Sequence, residues 1–585
     1  MDYLKSVVPS QLMAERGSNL LVINPGSANV RIGLAQQQIP LNIPHCIARY
    51  INDDDENHEP ILHLQDQALN SRVTPGQEVE REKAYDTIAS LLKIPFLDED
   101  VANNSIPRKT VRVDGYKPQN TRNDSPLTWT DVTEKNMPVK IETKDDDVES
   151  SDQSKSSDGE SDTSANKYRE YICGEDALKI PPSKPYSLHR PIRRGHFNIS
   201  QHYPQQQVLE DLYTIWDWVL NEKLHIPHAE RNLYSVVLVI PESFDTREIK
   251  EILTILLRDL RFSSAVVHQE GLAAVFGNGL STACVVNMGA QVTSIICVED
   301  GVTLPTTALS LPFGGEDISR CLLWSQRHHQ TWPSNHTNPL SRPIDLLMLN
   351  KLKESYCRIK EGEVDTVALV HSYDDEDNMQ SGAHKTRLSS LNVPPMGVFY
   401  PLLLVPDEHP PPPRTWFLDY EDMLEDTWHL DYSNGGGGGG GLSTWDNYQT
   451  LSTRLKKVDN LGLAEAITSS ILSTGRIDLQ RKLFCSIQLV GGVALTGGLI
   501  AAVEDRVLHA IPSNEAIDTV EVLQPKSDST FVPWRGGAII GILDFGREAW
   551  IHRDDWIPNG IHVASGRKYK DSFYLQAQAM CYMNS

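Results

Sequence analysis

Two distant segments of this chain follow one plan, and no other feature of the sequence constrains the fold as strongly. They are LVINPGSANVRIGLA at residues 21–35 and ACVVNMGAQVTSIICV at residues 283–298. In each, an apolar strand ends in Asn-x-Gly, a short turn follows, and a second apolar strand returns. Glycine at Gly26 and Gly289 allows backbone angles that other residues avoid, so amide N–H groups can approach an anion. One such turn is usually a plain hairpin. The pair predicts two hairpins, one in each of two lobes, that hold a phosphate chain between them.

A third glycine-rich turn, LVGGVALTGG at 489–498, follows another apolar strand and opens into the helical run LIAAVEDRVLHAI. Glycines at a strand-to-helix turn suit the close approach of a flat or anionic ligand to the helix N-terminus. The same glycines equally suit tight packing of the helix on the strand. Both interpretations stay open from the residues alone.

Apolar strands and amphipathic helices alternate along most of the chain. The strand-like runs lie at 19–24, 236–240, 283–287 and 485–490. Leucines recur at three- and four-residue spacing at 247–260 and 346–361, which predicts helices there. This alternation indicates an α/β fold.

The chain has 585 residues, too many for one ordinary core, so two or more lobes are expected. Two regions interrupt the strand and helix pattern, at about 118–167 and about 371–450. The first is acidic and nearly without apolar residues, and the second holds four consecutive prolines and seven consecutive glycines. Such compositions bury too little apolar surface to fold, so both regions are predicted to be unfolded inserts. Within the second, Gly397–Val405 is apolar enough to dock as a strand.

Composition narrows the class of protein. The formal net charge of −24 favours solubility and repels nucleic acid at long range. The eight cysteines are scattered without a C-x-x-C pair, which argues against a zinc site or a disulfide framework and predicts buried, reduced thiols. No apolar run approaches the roughly 20 residues that cross a bilayer, and the N-terminus lacks the features of a signal peptide. A nuclear or cytosolic protein is expected.

Two small clusters of polar residues are predicted to have structural rather than functional roles. His189, His196 and His202 show no metal-ligand spacing and are predicted to be ordinary core or surface histidines. Arginines at positions 190, 193 and 194 form a basic cluster: Arg190, Arg193 and Arg194. This cluster is expected to form structural salt bridges rather than a DNA contact.

The two hairpins resemble those of the actin, Hsp70 and sugar-kinase nucleotide-binding fold. The segments that narrow this resemblance to actin-related proteins are YICGEDAL, RPIRRGHFN, LVIPESFDTREIKEILTILL and WRGGAIIGIL. Segments at 266–289, 313–324 and 349–357 are similar to the nuclear actin-related protein eight branch, and the opening 35 residues are similar to plant actin-related protein nine. The resemblance covers about residues 18–50, 168–365 and 480–560.

This resemblance implies a duplicated α/β fold of the ribonuclease H-like type, with two lobes around a nucleotide cleft. The first lobe is expected at 18–278 and the second at 279–533, each carrying one unfolded insert. Residues 534–585 are expected to return to the first lobe and end in a C-terminal tail.

Carried over residue by residue, the resemblance implies a site for ATP or ADP made by both hairpins, one helix and the third glycine turn. The helix residues Lys353 and Glu354 would lie near ribose and base, although an exposed helix face with local charge pairs is an equal alternative. The full implied set is Gly26, Ser27, Ala28, Asn29, Asn287, Met288, Gly289, Ala290, Gln291, Lys353, Glu354, Gly491 and Gly492.

The same resemblance argues against hydrolysis. Asn24, Asn287 and Ala290 stand where conventional actin has aspartates around its magnesium ion, and Glu270 and Ser294 replace its two water-positioning residues. Magnesium is held through oxygen ligands fixed by carboxylates, and the loss of one transition-state contact commonly costs ~10²–10³ in rate. The resemblance therefore implies weak or structural nucleotide binding, little support for Mg²⁺, no catalytic residue and negligible ATPase activity.

The nuclear branch implies a scaffold subunit of an INO-type chromatin-remodelling complex. Its expected partners are a helix of the remodelling ATPase, actin and another actin-related protein, with histones or nucleosomal DNA as further contacts. Two alternatives stay open: an active actin-fold ATPase, and a filament-forming cytoskeletal protein. The first needs a metal-binding acid that these positions lack, and the inserts would obstruct the second.

Overall fold

The computed structural model describes most of the two predicted lobes. It covers residues 10–51, 73–93, 111–112 and 169–559, except 201, 245, 334–336, 375, 378–379, 407–460, 514, 516, 525–526 and 544–549. The acidic insert predicted at about 118–167 lies outside these residues, as do the proline and glycine runs of the second insert.

The strands of the described residues are β1 (Leu20–Pro25), β2 (Asn29–Leu34), β3 (Leu41–Pro44), β4 (Ile47–Tyr50), β5 (Val111–Arg112), β6 (Tyr171–Cys173), β7 (Tyr186–His189), β8 (Ile192–Arg193), β9 (His196–Phe197), β10 (Ser235–Ile240), β11 (Ser264–Gln269), β12 (Ala283–Met288), β13 (Thr293–Glu299), β14 (Val302–Leu311), β15 (Thr366–Tyr373), β16 (Gln380–Leu388), β17 (Ile487–Val490) and β18 (Ile551–His552).

The α-helices of the same residues are α1 (Ser10–Arg16), α2 (Pro75–Leu91), α3 (Glu175–Leu178), α4 (Gln205–Trp218), α5 (Thr246–Thr254), α6 (Glu270–Gly277), α7 (Gly315–His328), α8 (Pro343–Tyr356), α9 (Val393–Met396), α10 (Pro401–Leu404), α11 (Leu463–Leu472), α12 (Ile477–Phe484), α13 (Leu499–Ala510), α14 (Val532–Leu543) and α15 (Arg553–Asn559).

The sheet of the first lobe has the strand order β18-β11-β10-β1-β2-β3. Strand β1 is antiparallel to β2 and parallel to β10. Every residue of β1 is buried, since its alternate side chains pack on opposite faces of the sheet. Leu21 and Ile23 join the apolar cluster that contains α4, whereas Leu20 and Val22 join the cluster that contains α14.

The sheet of the second lobe repeats this plan. Its order is β14-β13-β12-β17, with β12 antiparallel to β13 and parallel to β17. The hairpin register is also the same, because Asn24 pairs with Arg31 and Asn287 pairs with Ser294. The predicted duplicated α/β fold is confirmed.

Two helices join the lobes through close backbone contact. Helix α6 connects β11 of the first sheet to β12 of the second, and α14 packs across it. A Cβ atom built on Gly536 would lie 1.6 Å from the carbonyl oxygen of Ala273, and one on Gly277 would lie 2.2 Å from that of Val532. Only glycine allows the two helix backbones to approach this closely.

One part of the range assigned to the first lobe, 18–278, packs on the second lobe instead. Helix α2 buries Ala84, Tyr85 and Ile88 in the apolar cluster that contains β12 and β13, and β5 pairs with β16. The chain therefore crosses to the second lobe after β4 and is back in the first lobe at β6. Local sequence does not signal the crossing, because an apolar helix face packs equally well on either lobe.

The second insert was predicted to begin too early, at about residue 371. Strands β15 and β16 form an antiparallel hairpin across that position. Gly397–Val405 docks as expected, but α10 within it is helical, so the predicted strand is wrong. Proline occupies the first turn of both α9 and α10, where it is compatible with helix geometry, and Leu403 is fully buried.

The other local predictions hold with small changes of boundary. The four strand-like runs form β1, β10, β12 and β17. The helix predicted at 346–361 is α8, which ends at Tyr356. The helix predicted at 247–260 is α5, followed by a π-helical turn at Ile255–Asp259.

Two expectations from composition concern cysteines and membranes. All seven cysteines of the described residues are free thiols, five of them buried, as predicted. Within the same residues, no helix combines the length and the apolarity needed to cross a bilayer.

The contact between α6 and α14 predicts a strong effect of volume at Gly536. We expect Gly536→Ala to lower the free energy of unfolding by about 1–3 kcal/mol, because the helices must move apart to admit the methyl group. Thermal unfolding of the purified chain measures this. Gly76→Ala in α2 is the matched control, since nothing lies within 4 Å of its Cβ position. Equal midpoints for both variants would contradict the close contact.

Candidate functional site

The turn of the first hairpin is closed by its own backbone and held from behind by a histidine. The N–H of Gly26 donates to the carbonyl of Asn29 at 3.0 Å, and the N–H of His45 donates to that of Ala28 at 2.8 Å. Trp216 Nε1 donates to His45 Nε2, which leaves His45 Nδ1 to donate to Gly26 O at 2.9 Å. Burial lowers the pKa of His45 to about 4, so the ring stays neutral and holds the turn at physiological pH.

The turn of the second hairpin closes in the same way. The N–H of Gly289 donates to Val292 O at 2.9 Å. The first residues of α7 then bond two carbonyls of the turn: Gly315 N–H donates to Gly289 O at 3.0 Å and Glu316 N–H to Ala290 O at 2.7 Å. The helix N-terminus thus pairs these two carbonyls, whereas the N–H of Ala290 is left without a backbone acceptor.

Both turns present unpaired donors. Within the described part of the chain, the backbone N–H groups of Ser27, Ala28 and Ala290 donate to no protein acceptor, and all three residues are partly exposed. Successive free N–H groups in a turn form an anion-binding concavity. Of the other residues expected in the site, Met288 packs in the apolar cluster of the second lobe, and the side chain of Gln291 bonds Arg194 and Glu316.

One carboxylate joins the two hairpins. Asn24 Nδ2 donates to Glu270 Oε1 at 2.6 Å, and Asn287 Nδ2 donates to Glu270 Oε2 at 2.5 Å. Glu270 is the first residue of α6, which connects the two sheets. The bridge therefore brings the starts of both turns to opposite sides of one buried group, as a single cleft requires.

The bridging carboxyl has an unusual proton affinity. Burial, reinforced by the neighbouring Glu242 carboxylate, raises the pKa of Glu270 from 4.5 to about 7, although the bonds from Asn24 and Asn287 lower it. Glu242 accepts hydrogen bonds from the backbone of Gly271 and from Ser294 Oγ at 2.8 Å. Ser294 is thus tied to Glu242.

A cation that the sequence analysis missed stands beside the bridge. Arg31 lies opposite Asn24 in the hairpin register and donates from Nη1 to Asn24 Oδ1 at 3.2 Å. Its Nε is buried and has no partner among the described residues. Burial lowers the pKa of Arg31, against the opposing charges of Glu270 and Asp528. The signal that would have found it is a single basic residue in an otherwise apolar strand, directly across from Asn24.

These residues fit a polyphosphate but do not fit a magnesium ion. The free N–H groups are donors suited to phosphate oxygens, and the guanidinium of Arg31 adds positive charge beside the first turn. Both oxygens of Glu270 already accept amide hydrogens. No group of three or more metal-ligating side chains occurs in the residues that the structure describes.

Lys353 and Glu354 have different surroundings. Lys353 Nζ donates to Gly315 O at 2.9 Å, and Glu354 is exposed. Burial lowers the pKa of Lys353, while Glu354 and Glu316 raise it. Since Gly315 also bonds Gly289, Lys353 lies close to the second turn. Glu354 instead fits the alternative stated above, an exposed position on the helix.

The third glycine turn packs on the second hairpin. Gly491 has a positive φ of 91°, and a Cβ atom there would lie 2.3 Å from Met288 O. At Gly492 a Cβ atom would meet nothing within 4 Å, so this backbone borders open space. Each interpretation of this turn therefore applies to one of the two glycines. Gly491 allows tight packing on the second hairpin, and Gly492 leaves room for a ligand.

Arg190 and Arg194 of the basic cluster link the lobes, as expected for structural salt bridges. Arg194, in the β8–β9 turn of the first lobe, forms a bidentate pair with the buried Asp317 of α7, at 2.7 and 2.8 Å. Its backbone N–H and Nη1 also donate to the side chain and carbonyl of Gln291. Arg190 Nη1 lies 3.5 Å from Glu316 Oε1. Gln291 therefore serves contact between the lobes.

The histidines behave as ordinary structural residues. His189 Nδ1 lies 3.0 Å from Asp211, and His196 Nδ1 lies 3.1 Å from Glu248. His202 is exposed.

Comparison of this chain with known proteins identifies the family to which it belongs. The family model named Actin matches residues 16–568. Actin-related protein 9 of Oryza sativa subsp. indica is 62% identical over 589 residues and covers 100% of both chains. Actin-related protein 9 of Arabidopsis thaliana is 58% identical over 591 residues, which cover 100% of this chain and 98% of the relative.

More distant relatives extend this result to structures. Actin-related protein 8 of Danio rerio is 27% identical over 621 residues, which cover 94% of this chain and 92% of that relative. The solved structure of human actin-related protein 8 in its ATP-bound state has a TM-score of 0.71 and 26% identity, and the match covers 96% of this chain and 98% of the human chain. The resemblance expected from the sequence is confirmed. This chain belongs to the actin family and, within it, to the actin-related proteins.

Proposed function

We propose that this protein is a non-catalytic scaffold subunit of a nuclear, INO-type chromatin-remodelling complex that binds ATP or ADP as a structural ligand. The observation that carries the non-catalytic part is the bridge from Asn24 through Glu270 to Asn287. It fills with hydrogen bonds the place between the hairpins where a hydrolytic actin fold needs a metal ion and a positioned water.

The residue types of the bridge differ from those of conventional actin at all three positions. By the resemblance, conventional actin has an aspartate at each hairpin and a glutamine between them, whereas this chain has two asparagines and a glutamate. Each amide donor now meets a carboxylate acceptor, so the arrangement is satisfied without a cation. Stabilisation of a developing phosphoryl charge by a metal is then lost.

Nucleotide binding rests on a separate set of groups. The free N–H groups of Ser27, Ala28 and Ala290 suit phosphate oxygens, and Arg31 and Lys353 supply positive charge. The ATP-bound state of human actin-related protein 8 supports the same role in this chain. Because both oxygens of Glu270 already accept amide hydrogens, binding is proposed to depend on these donors.

The proposed partners follow from the family and the charge. We propose that the chain contacts a helix of the remodelling ATPase, actin and another actin-related protein. The net charge of −24 favours basic histones over nucleosomal DNA as a further contact. Affinity purification from nuclear extract tests this proposal. Recovery of a remodelling ATPase with actin supports it, and recovery of the free monomer alone contradicts it.

One observation favours an active ATPase instead. A carboxyl whose pKa lies near 7, as for Glu270, has the proton affinity of a general base. On this alternative, Glu270 would accept a proton from the attacking water. The turnover measurement below distinguishes the two proposals.

Turnover should be negligible and nucleotide binding should not need magnesium. We expect ATP extracted from the purified chain to be intact. We also expect its affinity to stay within about twofold when EDTA replaces Mg²⁺, because the carboxylate between the two hairpins is already bonded to two amides. A phosphate-release assay measures the turnover, and nucleotide titration with Mg²⁺ or EDTA measures the affinity. Magnesium-dependent turnover that disappears in Glu270→Gln would favour the ATPase.

Arg31 should determine affinity. We expect Arg31→Met to weaken ATP and ADP binding about tenfold or more, because a charge-assisted bond to phosphate is lost while the strand keeps its apolar stem. Titration of a fluorescent nucleotide analogue measures the change. Arg327→Met, at an exposed position of α7, is the control and should bind as the native chain does. Equal affinities in all three chains would remove Arg31 from the site.

Glu270 should also make stability depend on pH. Its folded pKa lies above its unfolded value, so its contribution is complete below about pH 4.5 and is lost as pH rises through about 7. The loss amounts to about 3 kcal/mol. We therefore compare the unfolding temperature of Glu270→Gln with that of the native chain at each pH. We expect the difference, variant minus native, to increase from pH 5 to pH 8.

The difference between the two chains reports Glu270 together with its coupling to Glu242, whose pKa is also raised by burial. The pKa of His45 and that of His268 are lowered to about 4, so both histidines contribute stability above about pH 6.5 that is lost toward pH 4. This opposite trend is common to both chains and cancels in the difference. Glu354→Gln, at an exposed position, should follow the native profile. A flat difference for Glu270→Gln would show that Glu270 titrates normally.

A further inference from the structure

We propose that nucleotide binding is coupled to the uptake of a proton by Glu270, so that this proton supplies part of the positive charge that balances the bound phosphates. The inference deepens the proposed nucleotide binding and rests on it. It is carried by the position of one buried carboxyl group, by the charges around that group and by the hydrogen bonds of the two asparagines beside it.

Glu270 lies where the two phosphate-binding turns meet. The residue is 7% exposed, and its two carboxylate oxygens bond Asn24 and Asn287. The free N–H groups proposed to hold phosphate follow each asparagine by three or four residues. A phosphate chain bound at both turns therefore brings negative charge close to this carboxylate, and charges in a buried site are screened little by salt.

The charges around Glu270 leave little to balance a polyphosphate. Glu242 acts on it as a second negative charge, and Arg31 acts on it as a positive one. Arg31 itself faces Asp528 as well as Glu270. Near the second turn, Lys353 is likewise opposed by carboxylates, since two glutamates raise its pKa. Each cation near the turns thus already has an opposing charge, and added phosphate charge favours the protonated form of a nearby carboxyl group.

Of the two neighbouring carboxyl groups, Glu270 is the one that takes the proton. Burial and Glu242 raise the pKa of Glu270 to about 7, so a further rise on phosphate binding falls within the physiological range. Glu242 accepts from the N–H of Gly271 at 2.6 Å and from Ser294 Oγ at 2.8 Å, and both bonds favour its ionised form. Glu242 therefore acts by raising the proton affinity of Glu270.

The hydrogen bonds of the bridge accommodate the proton at one oxygen. Asn24 is fixed in orientation, because its Nδ2 also donates to Val239 O at 3.0 Å and its Oδ1 accepts from Arg31. For the amide of the half-buried Asn287, the hydrogen-bond partner within the described residues is Glu270 Oε2. Rotation of this amide by about 180° turns its oxygen toward Glu270, where it accepts the hydrogen of a protonated carboxyl group. The structure therefore assigns the proton to Oε2.

The coupling is tested by the pH dependence of nucleotide affinity in the full-length chain. Glu270→Gln resembles the protonated side chain in shape and charge, so its affinity lacks this contribution. We expect the ratio of the dissociation constants for a fluorescent ADP analogue, native over variant, to rise about five- to tenfold from pH 6 to pH 9. This range corresponds to a rise of about one unit in the pKa of Glu270 on binding. A ratio that is constant with pH overturns the coupling.

Calorimetric titration with ADP, in two buffers of different ionisation enthalpy, counts the protons. At pH 7.5 the native chain should take up about half a proton more per nucleotide than Glu270→Gln. The phosphates of the nucleotide titrate near this pH as well, but equally in both chains. Glu222→Gln, at an exposed position of the first lobe, is the control and should match the native chain. Equal uptake by all three chains overturns the coupling while the proposed binding stands.

A measurement on the native chain alone covers the case in which Glu270→Gln does not fold. Infrared difference spectra at pH 7.5 should show the C=O band of a protonated carboxyl group increasing when ADP is added. Binding without an increase of this band overturns the coupling. If ADP and ATP do not bind to the native chain at any pH, the proposed binding fails and the coupling fails with it.

Discussion

Two asparagine amides that share one buried carboxylate hold the centre of this molecule together. Asn24 and Asn287 begin the two turns, and Glu270 begins the helix that connects the two sheets. An aspartate at either asparagine would place carboxylates in contact and require a cation or a proton between them. The amides remove that requirement. Hydrogen bonds within the protein therefore tie each turn to the helix that connects the sheets.

The rest of the cleft is consistent with this constraint. His45 holds the first turn from behind, the start of α7 holds the second, and Arg194 joins the second turn to the first lobe. Each of these groups is buried and is bonded within the protein. Such a cleft is suited to keep a nucleotide in one geometry. A scaffold subunit needs a fixed shape, whereas an enzyme that cycles through hydrolysis and exchange needs lobes that move.

The sequence predicted the hairpins well and their supports poorly. Gly26 and Gly289 were found because a turn between apolar strands has a local signature that occurs twice. Arg31 and His45 were missed, since their importance lies in partners across a register or a sheet. Glu270 and Ser294 were aligned with the two water-positioning residues of conventional actin, yet Ser294 bonds Glu242 and Glu270 bonds the asparagines. No spacing in the chain distinguishes those pairings.

The sequence by itself determined the α/β class, the two turns and the absence of aspartate at Asn24 and Asn287, because strand period, glycine and residue identity are local properties. Tertiary structure alone decided that α2 packs on the second lobe and that β15 and β16 form a hairpin across residue 371. It also decided that one glutamate joins both turns. Apolar faces and hydrogen-bond donors select partners by position in space, and that position is settled only when the two lobes pack against each other.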